Sequence, residues 1–124
     1  RIKTDFVKVL MAAATGKLDK INLKINPKFA VTSMVVAPGY PETYKKGDIM
    51  VIPDTDTDTL VFHAGTKSTP EGIVTNGGRV IALTGMGRTM NAAVKKSQKM
   101  AKAVKFKGRY YRIDIGKDLI NYLK

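Results

Sequence analysis

Gly72–Gly87, GIVTNGGRVIALTGMG, is the stretch on which the fold turns. Two runs rich in β-branched residues, around Ile73–Thr75 and Val80–Thr84, flank Asn76-Gly77-Gly78. Those three residues tolerate the positive φ that a tight hairpin requires, so the stretch predicts a β-hairpin and with it an antiparallel sheet. Working upstream, TLVFHA (59–64), IMVIP (49–53) and KFAVTSMVVA (28–37) read as further strands. PGYPETYKKGD (38–48) has the prolines and glycines of a loop, and DTDTDT (54–59) is a polar connection.

Downstream, Thr89 can cap a helix over about 90–104. Met90, Ala93, Val94, Ser97, Met100, Ala101 and Val104 fall on one face, and Lys95, Lys96, Lys99 and Lys102 fall mostly away from it. GRYYRIDIG (108–116) reads as extended, and KDLINYLK (117–124) as a short terminal helix. At the other end Thr4 is the expected N-cap of a helix that stops at Gly16, with Phe6, Val9, Leu10, Ala13 and Ala14 as its apolar stripe. KLDKINLKINPK (17–28) is a polar linker, with a soft boundary near residue 26. Helix, antiparallel strands, helix and strand make an α+β chain.

The 124 residues suffice for one domain at most, and 44% apolar content fits a globular core. Lys and Arg number 22 against 10 Asp and Glu, giving a net charge of +12, a field that attracts polyanions or phosphorylated small molecules. With no cysteine and one histidine there is no zinc site of the usual kind and no disulfide. No apolar run is long enough to span a membrane as a helix. The start at Arg1 followed directly by a helix pattern suggests a piece of something longer.

Asp54, Asp56 and Asp58 alternate as in a calcium loop, but Thr59 and Gly65 stand where the sixth-position Gly and twelfth-position Glu belong, so the segment reads as an acidic surface loop. TGMG and AGTKS lack the spacing of a complete phosphate loop. His63, at a strand end, reads as a structural hydrogen-bonding residue. Lys67 and Arg79 are the more informative pair, because each sits among glycines that let backbone N–H groups approach a ligand. An ammonium, a guanidinium fork and backbone donors together suit a phosphate monoester.

Taken jointly, four motifs are specific: GYPETYKKG (39–47), HAGTK (63–67), TNGGRV (75–80) and YRIDIG (111–116). In order and spacing the chain from Arg1 to about Gly116 resembles the C-terminal part of the phosphoribosylamine–glycine ligases (glycinamide ribonucleotide synthetases), an ATP-grasp family. RIKTD (1–5) resembles the opening of the last helix of that family's ATP-grasp domain. The resemblance implies a division into residues 1–26, the C-terminal tail of an ATP-grasp domain (helix plus linker), and residues 27–124, a β-rich domain. The expected fold is a small antiparallel barrel-sandwich, of the rudiment single hybrid motif type, with flanking helices.

The implied parent joins glycine to 5-phosphoribosylamine with ATP and Mg²⁺, giving glycinamide ribonucleotide, ADP and phosphate in cytoplasmic purine synthesis. The implied role of this part is to close the active site and hold the substrate phosphate through Lys67 and Arg79, with His63, Thr66 and Gly78 in support. Catalytic and metal-binding residues are expected elsewhere, in the N-terminal and ATP-grasp domains that are the expected partners. The 124 residues alone are therefore expected to bind no cofactor and to be inactive. Where relatives often carry basic residues beside the YRxDIG motif, this chain has Ile113 and Asp118, so the resemblance gives that segment no anion-binding role. The competing reading is a stand-alone basic nucleic-acid-binding module, which the scattered aromatic residues do not favour.

Overall fold

The computed structural model describes residues 1–120. Its centre is a three-stranded antiparallel sheet in the order β1 (Phe29–Val36), β5 (Arg79–Gly87), β2 (Thr59–His63). Ser33 lies opposite Leu83, and Val61 opposite Leu83 from the other side, so β5 is paired along both edges. That position explains its composition: Val80, Ile81 and Leu83 are fully buried. Each such side chain contributes about 1.5–3 kcal/mol through removal from water.

The helix α2 (Met90–Ala103) lies across one face of the sheet. Its N-cap is Thr89, whose hydroxyl accepts from Ala92 N at 3.1 Å. Ala93, Val94, Ser97, Met100 and Ala101 point into the core, as the helical period predicts. Gly85 permits the close approach: a Cβ there would stand 2.5 Å from Ala93 O and 2.7 Å from Lys96 Cβ. Within the interface the Ser97 hydroxyl bonds Leu83 O at 2.9 Å and the Ser33 hydroxyl at 2.7 Å. Arg109 closes the far end of the helix, donating to Lys102 O at 2.9 Å and to Val104 O, a cation placed at the negative end of the helix dipole.

The hairpin expected over 72–87 does not form. Gly72–Thr75 (β4) turns back to pair with Thr66–Thr69 (β3) in a separate two-stranded ribbon, while β5 joins the main sheet. Asn76-Gly77-Gly78 is thus a crossing between two sheets, and none of the three has positive φ. The positive φ is at Gly72, in the β3–β4 turn that follows Thr69-Pro70-Glu71. Ile49–Pro53 is not a continuous strand either: Met50 is buried, but Ile49 and Val51 are exposed and each makes one isolated bridge, to Val74 and Lys105.

Residues 1–26 fold back on themselves. Ile2 bridges Ile25, Lys3 N donates to Lys24 O at 2.8 Å, and Asn26 N donates to Arg1 O at 2.7 Å. The helix α1 (Phe6–Ala14) is capped by Asp5 and not by Thr4, the Asp5 carboxylate accepting from Val7 N at 3.0 Å. Thr4 instead ties the two flanks, accepting from Lys24 N at 2.7 Å and donating to Asn22 O at 3.1 Å. The expected apolar stripe is not buried here. Phe6, Val7, Leu10 and Met11 are exposed, and Ala12 is the buried residue of the helix. A short C-terminal helix α3 spans Lys117–Ile120; the rest of the expected helix, 121–124, lies outside the described residues.

Candidate functional site

The glycines around the expected site serve the crossing between the two sheets. Gly65 N donates to Arg79 O at 2.9 Å, and Asn76 N donates to Gly65 O at 2.7 Å. Gly65 and Gly77 pack backbone to backbone, so that a Cβ on Gly65 would lie 2.6 Å from Gly77 Cα. Gly78 is buried beneath the Tyr40 ring: a Cβ there would overlap that ring and lie 3.0 Å from Tyr44 Cε1. The Tyr40 and Tyr44 rings are 6.3 Å apart and tilted by 58°.

This packing sets the positions of the candidate side chains. His63 ends β2 with Nδ1 3.0 Å from Thr66 Oγ1, a bond that braces the turn into β3. Lys67 is inside β3, opposite Val74, and its side chain is exposed. Arg79 opens β5 opposite Val36, where the β1–β5 register shifts between Val35 and Val36. Beside that irregularity lies a cavity of about 300 Å³ whose lining includes the apolar residues Met34, Val36 and Ile115. Arg79 lines it with Tyr40, Tyr110, Tyr111 and Arg112, while Lys67 is not part of the lining. The structure therefore brings His63 and Thr66 together and Gly78 under Tyr40, and sends Arg79 into a tyrosine-lined cavity that Lys67 does not share.

The 110–112 segment completes that cavity. Tyr110 and Val36 exchange backbone hydrogen bonds of 2.9 and 3.1 Å along the outer edge of β1. Arg112 is held by Asp114 through two bonds, Nε to Oδ1 at 3.0 Å and Nη2 to Oδ2 at 2.7 Å. That fork lowers the Asp114 carboxyl below its ordinary range and raises the already high guanidinium further. Tyr111 is backed by the Arg109 guanidinium, 5.8 Å from its ring centroid. Sequence reading did not join Tyr40, Tyr110, Tyr111 and Arg112 to Arg79, because about 70 residues separate the first from the rest; the available signal was that Tyr40 lies within GYPETYKKG and Tyr111 and Arg112 within YRIDIG.

The acidic loop serves structure. Asp56 accepts from Asp58 N at 2.8 Å and from the Thr59 hydroxyl at 3.1 Å. Asp58 bonds Lys28, and Lys96 at 2.7 Å, tying the start of β1 and α2 to the loop before β2. Those two lysines hold the Asp58 carboxyl down at about 2. Among the described residues no three His, Asp or Glu groups converge as a metal site, and no helix is long and apolar enough to cross a membrane.

Fold and site together mark a small mixed α/β domain, an antiparallel sheet under one helix with a cationic, tyrosine-lined cavity at one end. The family described as phosphoribosylglycinamide synthetase, C domain, matches residues 30–118, and the chain belongs to that family. It is 36% identical over 94% of its length to a phosphoribosylamine–glycine ligase of Vibrio vulnificus and 35% identical over 99% to the bifunctional purine biosynthetic protein purD of Dictyostelium discoideum. A bifunctional purine biosynthetic protein of Saccharomyces cerevisiae is 42% identical over 91% of the chain. The crystal structure of phosphoribosylamine–glycine ligase from Thermotoga maritima superimposes with a TM-score of 0.75 at 33% identity, covering 89% of this chain and 27% of that one. The chain spans only 28%, 16% and 15% of the Vibrio, Dictyostelium and Saccharomyces proteins.

Proposed function

We propose that this chain is the C-terminal domain of a phosphoribosylamine–glycine ligase acting in purine biosynthesis. The observation that carries the reading is the family match over residues 30–118, together with relatives named as that ligase that align over more than nine-tenths of the chain. In the parent reaction ATP phosphorylates the glycine carboxylate, the amine of 5-phosphoribosylamine attacks the acyl phosphate, and glycinamide ribonucleotide, ADP and phosphate leave. Such chemistry depends on positioning and on neutralising the charge of anionic reactants. This domain's share is to close over the active site and hold the ribose phosphate, with Lys67 and Arg79 as its cations and the His63–Thr66 bond and Gly78 shaping their support.

The remaining domains of the same polypeptide are the partners, in a cytoplasmic enzyme. The residues present do not fit the Mg²⁺ that accompanies ATP: Asp56 and Asp58 are engaged by Thr59 and by two lysines, and no other acidic cluster converges among the described residues. We assign residues 27–124 to the barrel-sandwich domain and 1–26 to the tail of an ATP-grasp domain. What supports the second assignment is the exposed apolar face of α1 and the way this segment bonds to itself. A stand-alone nucleic-acid module draws no support from the relatives. The test is to assay the 124-residue chain beside the longer polypeptide with ATP, glycine and phosphoribosylamine. The longer protein forms glycinamide ribonucleotide and the chain alone does not; product from the chain alone would overturn the division of labour.

A further inference from the structure

We propose that Asn76-Gly77 is a self-modification site, at which Asn76 converts spontaneously to isoaspartate and thereby loosens the crossing that holds the start of β5. The Gly77 backbone nitrogen gives up its proton and forms a bond to the side-chain carbonyl carbon of Asn76, Cγ. The Cγ–Nδ2 bond breaks and the amide nitrogen takes a proton and leaves as ammonia, closing a five-membered succinimide. Water then opens the ring. Attack at Cγ gives aspartate; attack at the backbone carbonyl gives isoaspartate, in which the main chain runs through the former side chain. Water is the only co-reactant, and nothing is oxidised or reduced.

The structure singles out this asparagine. Asn76 is exposed, and Gly77 has no side chain to obstruct its own nitrogen. That nitrogen donates to no backbone carbonyl among the described residues, so it attacks without first breaking a ladder bond. The other described asparagines each lack one of these conditions. Asn26 precedes Pro27, which has no N–H to lose. Asn91 is in α2, where the nitrogen that would attack, Ala92 N, already donates to the Thr89 hydroxyl at 3.1 Å. Asn22 is followed by Leu23, whose branched side chain crowds the approach.

The position decides the consequence. Asn76 N donates to Gly65 O at 2.7 Å and Gly65 N donates to Arg79 O at 2.9 Å, so two bonds through Gly65 connect residue 76 to residue 79. Gly77 packs so closely on that strand of the crossing that a Cβ on it would stand 2.9 Å from Gly65 Cα. Isoaspartate lengthens the main chain here by one carbon, about 1.5 Å. There is no room to take up that length, so the Gly65–Gly77 contact opens and the bond between Gly65 and Arg79 goes with it.

The test is to age the 124-residue chain at body temperature in mildly alkaline and mildly acidic buffer and map it by mass spectrometry beside an unaged sample. Cleavage after Lys and Arg leaves Asn76 as the only amide residue of Ser68–Arg79, with Asn22 and Asn91 in separate peptides. An isoaspartate-specific methyltransferase with a labelled methyl donor distinguishes isoaspartate from aspartate, and hydroxylamine, which traps the succinimide, cuts the chain after Asn76. Asn76 should convert at least about tenfold faster than Asn91, the rate equivalent of one hydrogen bond that need not be broken. Conversion should quicken with pH, because the attacking nitrogen must lose its proton. The isoaspartate form should melt at least about 3 °C lower and show shifted amides at 64–67 and 77–80, with those of α2 unchanged. Asn76→Ser should abolish both the methyl label in that peptide and the loss on ageing. Asn76→Asp carries the charge without the longer main chain and should melt within about 2 °C of the unaged chain. Conversion of Asn76 no faster than Asn91, or aspartate without isoaspartate, would overturn the proposal. So would an isoaspartate form that melts with the unaged chain, or an Asn76→Asp variant that loses as much stability as the isoaspartate form.

Discussion

Substituting Gly78 by alanine separates the cavity from the core that supports it. An added Cβ would overlap the Tyr40 ring, standing 2.9 Å from Cε2, and 3.0 Å from Tyr44 Cε1, yet φ at this residue is not positive, so the backbone itself tolerates alanine. Tyr40 Cδ2 lies nearer still, so the ring must retreat by roughly 1.5 Å to regain ordinary carbon–carbon contact. Tyr40 is 39% exposed and can swing outward, which places the cost at the low end of overpacking, about 1 kcal/mol. For a chain of this size that lowers the melting temperature by about 3–6 °C. The swing also moves one wall of the cavity, so amides of the residues lining it should shift in two-dimensional NMR. Gly85→Ala is the comparison: its Cβ would meet Ser97 N, Ala93 O and Lys96 Cβ, mostly helix backbone that cannot swing away. That substitution should cost about 3 kcal/mol or more and leave tyrosine contacts at the rim unchanged. Urea unfolding followed by circular dichroism measures both. Equal losses for the two variants, or a Gly85→Ala chain as stable as the parent, would refute the account of why these glycines are glycine.

Three further outcomes follow from the same geometry. Ser97→Ala should cost about 1–2 kcal/mol in urea unfolding, and the Ser33→Ala/Ser97→Ala double variant should cost less than the two singles together, because the hydroxyls bond each other at 2.7 Å. Because Lys28 and Lys96 hold the Asp58 carboxyl at about 2, against about 3.9 in an unfolded chain, the triad's stabilisation is fully present above pH ~4 and is lost as pH falls through about 2. Asp58→Asn should flatten that part of the stability–pH profile, and an unaltered slope between pH 4 and 2 would show the triad contributes nothing. Leu10→Ser with Met11→Ser should change the stability of the 124-residue chain by no more than about 0.5 kcal/mol but destabilise the longer polypeptide by about 2 kcal/mol or more, since both side chains are exposed here and would be covered there.

What the sequence discloses follows the range of the forces involved. β1 and β2 are legible from their runs of apolar and β-branched residues, α2 from an apolar period that matches the face it buries, and the Thr89 cap lies next to the helix it caps. The crossing at Asn76-Gly77-Gly78 is legible as a chain reversal but not as a choice of partner. Local chemistry allows β4 to pair with β5; the close contact of Gly77 with Gly65, 12 residues away, is what sends them to different sheets. The stripe on α1 correctly marks a helix, but its burial depends on whatever covers Phe6 and Leu10. The sequence sets Arg79 among glycines in a quoted motif; that Tyr40, Tyr110 and Arg112 line one cavity with it is not legible there, because only the tertiary fold gathers them.

The central claim is that this domain holds the substrate phosphate of a glycine ligase, and steady-state kinetics of the longer enzyme carrying Arg79→Ala or Lys67→Ala test it most directly. The account predicts that KM for phosphoribosylamine rises by roughly tenfold or more while KM for ATP stays within about twofold. A loss confined to ATP, or unchanged use of phosphoribosylamine in both variants, would contradict it.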